Sequence, residues 1–106
     1  MNQVELHTAL KSLGMPVAYL AFKDTVAPPF ITYQFAYSGD LMADNHNYLE
    51  ISNFQVELYT VKKDLASEKK VQDALKVAEL PYSKTETWID EEKMFQILYE
   101  IQLIGA

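Results

Sequence analysis

EISNFQVELYTVK, residues 50–62, decides the fold. Phe54, Val56, Leu58 and Thr60 fall on one side of an extended chain. Gln55, Glu57, Tyr59 and Val61 fall on the other. Period-two alternation rich in aromatic and β-branched residues predicts a strand. One face is apolar enough to be buried and the other is half polar, as in an antiparallel sheet with one wet side.

Downstream, Asp64 caps a predicted helix that runs to about Glu79. Val71, Ala74, Leu75 and Ala78 form its apolar stripe, and Lys69, Lys70, Gln72, Asp73 and Lys76 lie off it. Leu80 and Pro81 end it. Ser83–Ile89 reads as a polar strand, Asp90–Lys93 as a charged turn, and Met94–Ile104 as a long strand. In the last, Phe95, Ile97, Tyr99, Ile101 and Leu103 alternate with Gln96, Leu98, Glu100 and Gln102.

Upstream, Phe30–Tyr37 alternates, with Ile31, Tyr33, Phe35 and Tyr37 assigned to one face. Two prolines close the loop Lys23–Pro29, and Val17–Phe22 reads as a short strand. The first segment is a helix that Asn2 caps, with Glu5 three residues on as in a capping box. Leu6, Ala9, Leu10 and Leu13 form its stripe, and Gly14 and Pro16 stop it. His7 lies off that stripe and reads as a solvated surface residue.

Between two strands lies SGDLMADNHNY, residues 38–48. Its Gly, Asp and Asn content predicts an exposed, mobile connection. Leu41 and Met42 within it have no core to enter. Such a pair is more often incidental, since single exposed apolar residues are normal, but in an assembly protein it is a candidate for docking. The element order is thus helix, three strands, helix, two strands. This is an α+β pattern, a single domain over residues 1–106. The expected architecture is an antiparallel or mixed sheet of four to five strands with both helices on one face.

The composition narrows the function. With 106 residues there is room for one core. The chain has no cysteine, which removes disulfides, thiolate metal sites and cysteine nucleophiles. The N-terminus is too polar for a signal peptide, and no stretch approaches the roughly 20 apolar residues of a membrane span. The net charge is −6 and all nine basic residues are lysines. Arginine is the usual bidentate reader of phosphate and guanine, so tight nucleic-acid binding is disfavoured. Such a chain suits the wall of a passage through which DNA slides.

Candidate chemistry is sparse. Gly14, Gly39 and Gly105 stand too far apart for a phosphate-cradling loop. Asp44 and His46, with a partner elsewhere, invite a cation reading, but a polar loop of turn residues, Asn45 among them, is the commoner explanation. Asp90, Glu91 and Glu92 are sequence neighbours and share no face, so they are a poor acid–base pair. Glu57 and Glu100 sit inside apolar strands. They read either as solvated residues near a lysine or as polar contacts to a neighbouring subunit. No serine or threonine stands in a nucleophile motif. Seven tyrosines, Tyr48 and Tyr59 among them, are an excess that suits partly wet interfaces. No catalytic, cofactor-binding or metal site is expected.

Four elements occur together, in order, over nearly the whole chain. They are Pro28-Pro29-Phe30-Ile31-Thr32-Tyr33, and Ala43-Asp44-Asn45 ahead of Tyr48. The third is Val56-Glu57-Leu58-Tyr59-Thr60, followed by Lys63-Asp64 and Glu68. The fourth is Glu92-Lys93-Met94-Phe95 leading to Tyr99-Glu100-Ile101. This pattern resembles the tail-terminator and tail-to-head joining proteins, the neck or tail-completion proteins, of siphophages and prophages of Gram-positive bacteria. The resemblance implies a non-enzymatic α+β subunit, without cofactor, in a hexameric ring. That ring would cap the tail tube, meet the head connector and pass DNA through its lumen. It would reside in the virion and assemble in the host cytoplasm. Interface candidates are Leu41, Met42, Asp44, Asn45, His46 and Tyr48 in the connection, with Glu57, Tyr59 and Glu100 on strands. The alternative is a small acidic adaptor or inhibitor domain that binds a single protein partner. A small enzyme has the least support.

Overall fold

A computed structural model describes residues 1–105. The elements are α1 (Gln3–Lys11), β1 (Val17–Tyr19), β2 (Phe30–Ser38), β3 (Leu41–Ala43), β4 (His46–Leu49), β5 (Ile51–Thr60), α2 (Leu65–Val77), β6 (Ser83–Ile89) and β7 (Met94–Ile104). The alternating stretch becomes β5, the middle strand of a five-stranded sheet ordered β1-β2-β5-β7-β6. β1 runs parallel to β2 and the other neighbours are antiparallel, so the sheet is mixed. β3 and β4 form a separate two-stranded ribbon. The fold is α+β.

Register puts Ile31 and Tyr33 of β2, Phe54, Val56 and Leu58 of β5, and Ile97, Tyr99 and Ile101 of β7 on one face. All are buried, together with Leu6 and Leu10 of α1 and Val71 and Leu75 of α2. Both helices therefore cover the same side of the sheet. Burying each such aliphatic side chain contributes about 1.5–3 kcal/mol. The opposite face carries Thr32, Gln34, Gln55, Glu57, Tyr59, Gln96, Leu98 and Glu100, with no element packed over it among the described residues.

The helix ends follow the sequence signals. The Glu5 N–H donates to Asn2 Oδ1 at 2.8 Å and the Asn2 N–H to Glu5 Oε1 at 3.1 Å, a complete capping box. Asp64 accepts from the Ser67 N–H at 3.1 Å and the Ser67 hydroxyl at 2.8 Å. Gly14 takes φ +84°, the left-handed conformation that stops α1. α2 is shorter than its periodicity suggests, because Glu79 turns left-handed at φ +57° and aims Leu80 back into the core.

Four expectations are corrected. β1 ends at Tyr19, not Phe22, because Leu20 adopts φ +66° and breaks the extended run. The Tyr19 hydroxyl then accepts the Phe35 N–H at 3.1 Å, beyond the last β1–β2 pair. Tyr37 does not share the face of Ile31, Tyr33 and Phe35. The β2–β5 register shifts between Phe35 and Tyr37, and the extra residue Ala36 turns Tyr37 to the open face, opposite Asn53. His7 is not solvated: its Nδ1 lies 2.9 Å from the Tyr33 hydroxyl, half-buried between helix and sheet.

The fourth concerns residues 38–48, which form a paired two-stranded ribbon and not an irregular connection. Asp44 and Asn45 take φ +51° and +65° and make a tight turn between β3 and β4. Two successive left-handed residues match the twist of a two-residue hairpin, and Asp and Asn tolerate that conformation best after glycine. Asp40 fastens the base. Its carboxylate accepts the Ile51 N–H at 2.8 Å and the Asn47 side-chain amide at 2.7 Å. The Gly39 N–H bonds the Ile51 carbonyl at 2.8 Å. The ribbon is therefore an arm that continues the β2–β5 pair.

Candidate interaction site

The predicted site residues fall into two groups. Leu41, Met42, Asp44, Asn45, His46 and Tyr48 lie on the arm. Glu57, Tyr59 and Glu100 lie on the open sheet face.

Every side chain from Leu41 to Tyr48 is exposed, and only Leu49 is half-buried. Tyr48 is 77% exposed, Met42 69% and Leu41 53%. At the arm's root, Tyr37 and Phe35 are also exposed large side chains. Backbone pairing with the Asp40 clamp gives the arm its shape, with no core beneath it. Asp44 and His46 gather no third metal ligand: among the described residues no group of three or more His, Cys, Asp or Glu converges.

Glu57 is buried although no helix covers it. Its own sheet neighbours enclose it. Oε2 accepts from the Tyr59 hydroxyl at 2.6 Å, Gln96 Nε2 at 3.1 Å and the Thr32 hydroxyl at 3.4 Å. Oε1 accepts from Gln34 Nε2 at 3.0 Å, which also donates to Gln55 Oε1 at 3.1 Å. Burial, followed by the bond to Glu57, pushes the Tyr59 hydroxyl above its ordinary pKa, which keeps it a donor. The Tyr59 ring stacks on Phe30 at 4.9 Å, and Phe22 packs edge-on against Phe30 at 5.4 Å. The expected neighbouring lysine is missing: among the described residues no ion pair involves Glu57. Glu100 stands opposite Gln55 on the same face, exposed and also without an ion pair among the described residues.

Sequence reasoning missed the helix-side cluster. Glu68 of α2 is 2% exposed and pairs with Lys63 at 2.7 Å and Lys84 at 2.5 Å. Lys63 also reaches Glu86 on β6. Burial pushes the Glu68 carboxyl up, but the hydrogen bonds and charges of the two lysines outweigh it and leave the pKa lowered. The hydrogen bonds to Glu68 and Glu86 raise Lys63. Burial, with the nearby Glu68 charge second, raises the Tyr99 hydroxyl, which donates to Gln72 Oε1 at 3.0 Å. A signal was available: Glu68 precedes Val71 by three residues and Leu75 by seven, so helical periodicity places it on the buried stripe.

Among the described residues no helix is long and apolar enough to cross a membrane. No protein-family model matches the chain, and no curated protein is significantly similar to it.

Proposed function

We propose that the chain is a structural subunit of a phage neck, where copies form a ring that completes the tail and joins it to the head. The observation that carries this reading is the arm: a backbone-paired ribbon presenting Leu41, Met42 and Tyr48 to solvent. Large apolar side chains left exposed together on one short element suit protein–protein contact. An arm already held in shape loses little conformational entropy on docking, which favours assembly.

The partners are further copies of the chain, six in the ring, together with the tail tube protein and the head connector. Partly wet, tyrosine-bearing surfaces such as Tyr37, Tyr48 and Tyr59 suit contacts that form late between finished parts. DNA crosses the lumen without specific binding, in keeping with a net charge of −6 and the absence of arginine. No reaction and no cofactor belong to this role. The subunit resides in the virion after assembly in the host cytoplasm.

The test replaces Leu41–Leu49 by a two-residue turn between Asp40 and Glu50. Because the arm lies outside the core, the variant folds with a normal far-UV spectrum and cooperative melting. Assembly of tailed particles is expected to fall at least tenfold. An unchanged particle yield sinks the reading and moves a single-partner adaptor role to first place.

A further inference from the structure

The two faces of this molecule differ in charge in a way its own residues do not resolve. The open face presents Ala18 of β1, Phe30, Thr32, Gln34 and Tyr37 of β2, alternate residues Ile51 to Tyr59 of β5, Met94 to Ile104 of β7, and Ser83 to Ile89 of β6. None of these positions is a lysine. The only charges are Glu57 and Glu100. All nine lysines lie on the helix side, at strand ends or in loops. Glu57 is 8% exposed and held by neutral donors alone. A carboxylate removed from water without a counter-cation is an uncommon arrangement, because neutral hydrogen bonds offset only part of its lost hydration. Beside it stand the Phe30 and Tyr59 rings, whose π-faces attract an ammonium group.

The outward side of α2 is complementary. Lys69, Lys70 and Lys76 point away from the core, flanked by Leu65 at 68% and Val77 at 85% exposure. Asp73 pairs with Lys69, while Lys70 and Lys76 have no ion-pair partner among the described residues. The dimensions match as well. A helix of 13 residues is about 20 Å long, and five strands about 4.8 Å apart span about 19 Å.

We infer that the open sheet face is the seat for α2 of a second copy of the chain, with Glu57 and Glu100 receiving its lysines. Sheet face and helix face lie on opposite sides of one subunit, so the contact is head-to-tail. Such heterologous contacts close into rings or run into filaments. Ring closure rests on the neck reading, whereas the contact itself does not. A stable interface needs about 800 Å² on each partner, more than one helix covers, and the exposed arm supplies apolar surface for the rest.

The experiment mixes unlabelled and nitrogen-15-labelled full chain, couples carboxylates to amines with a zero-length carbodiimide, and maps the products by mass spectrometry. The expected result is mixed-isotope linkage of Glu57 or Glu100 to Lys69, Lys70 or Lys76. Lys70→Glu combined with Lys76→Glu should weaken association at least tenfold in sedimentation velocity, and mixing that variant with Glu100→Lys should restore it. If oligomers form but their mixed-isotope links lie elsewhere, this contact is wrong and the neck reading stands. A chain that sediments as a monomer up to about 1 mM overturns the contact too, and particle assembly then judges the neck role separately.

Discussion

Glu68 and Glu57 are both buried carboxylates, 2% and 8% exposed, on opposite sides of one sheet. Glu68 has two lysines from its own chain, Lys63 and Lys84, one before α2 and one on β6. Glu57 has only hydroxyls and amides. The helix side thus completes its electrostatics within the subunit, where the ion pairs tie α2 to the sheet edge. On the sheet side both Glu57 carboxylate oxygens accept hydrogen bonds, yet no cation faces them among the described residues. The difference is between a carboxylate held by cations of its own chain and one held by neutral donors alone, and substitutions can break or sharpen it.

The largest effect is expected from Lys63→Met combined with Lys84→Met. It leaves Glu68 buried without a cation and should cost about 3 kcal/mol of folding free energy, read by urea denaturation. A loss no greater than that of Glu57→Gln would erase the distinction between the two carboxylates.

Acid comes next. Glu68 has its pKa lowered by folding from an ordinary 4.5. Its contribution is therefore complete above that value and is lost as pH falls through the lower, folded value. Lys63 is raised from 10.5, so its contribution is complete below that value and is lost as pH rises through the higher, folded one. Stability should form a plateau between these limits, and Glu68→Gln should flatten the acid limb. An acid limb unchanged in that variant would assign acid sensitivity to other carboxylates.

Glu57→Gln is expected to cost about 1 kcal/mol in the isolated chain, because one amide nitrogen then faces the donors Gln34 and Gln96. Its effect on self-association should exceed its effect on folding. Equal effects would make Glu57 a purely structural residue. The smallest change in stability, within about 0.5 kcal/mol, belongs to Leu41→Ser, Met42→Ser and Tyr48→Ser together, since all three are exposed. Particle assembly should nevertheless collapse. A triple variant that melts early would show that the arm serves the fold.

These contrasts were unequally legible in the sequence. Strict alternation placed Phe54, Val56 and Leu58 in the core, and the Asn2 and Asp64 caps located both helix starts. Local pattern suffices where one period holds. It failed at Ala36, where a single extra residue reverses the face of Tyr37, because a bulge is defined by the partner strand. In sequence the arm resembles a loose loop, since Asp44-Asn45 lacks the glycine that usually marks a tight hairpin turn. The exposure of Leu41 and Met42 was legible all the same, because they stand in a polar stretch with no core to enter. The Glu57 network was half legible. Alternation put Glu57 and Tyr59 on one face, but Gln34 and Gln96 join them only through strand order and register. Likewise His7 meets Tyr33 across 26 residues of chain, a separation at which periodicity is silent.

The most direct test of the central claim is electron microscopy of phage particles assembled without this chain. Heads and tails lying separate, with tails overlong if the chain stops tube growth and of normal length if it only joins, is the expected result. Intact, infectious virions would contradict a role in the neck.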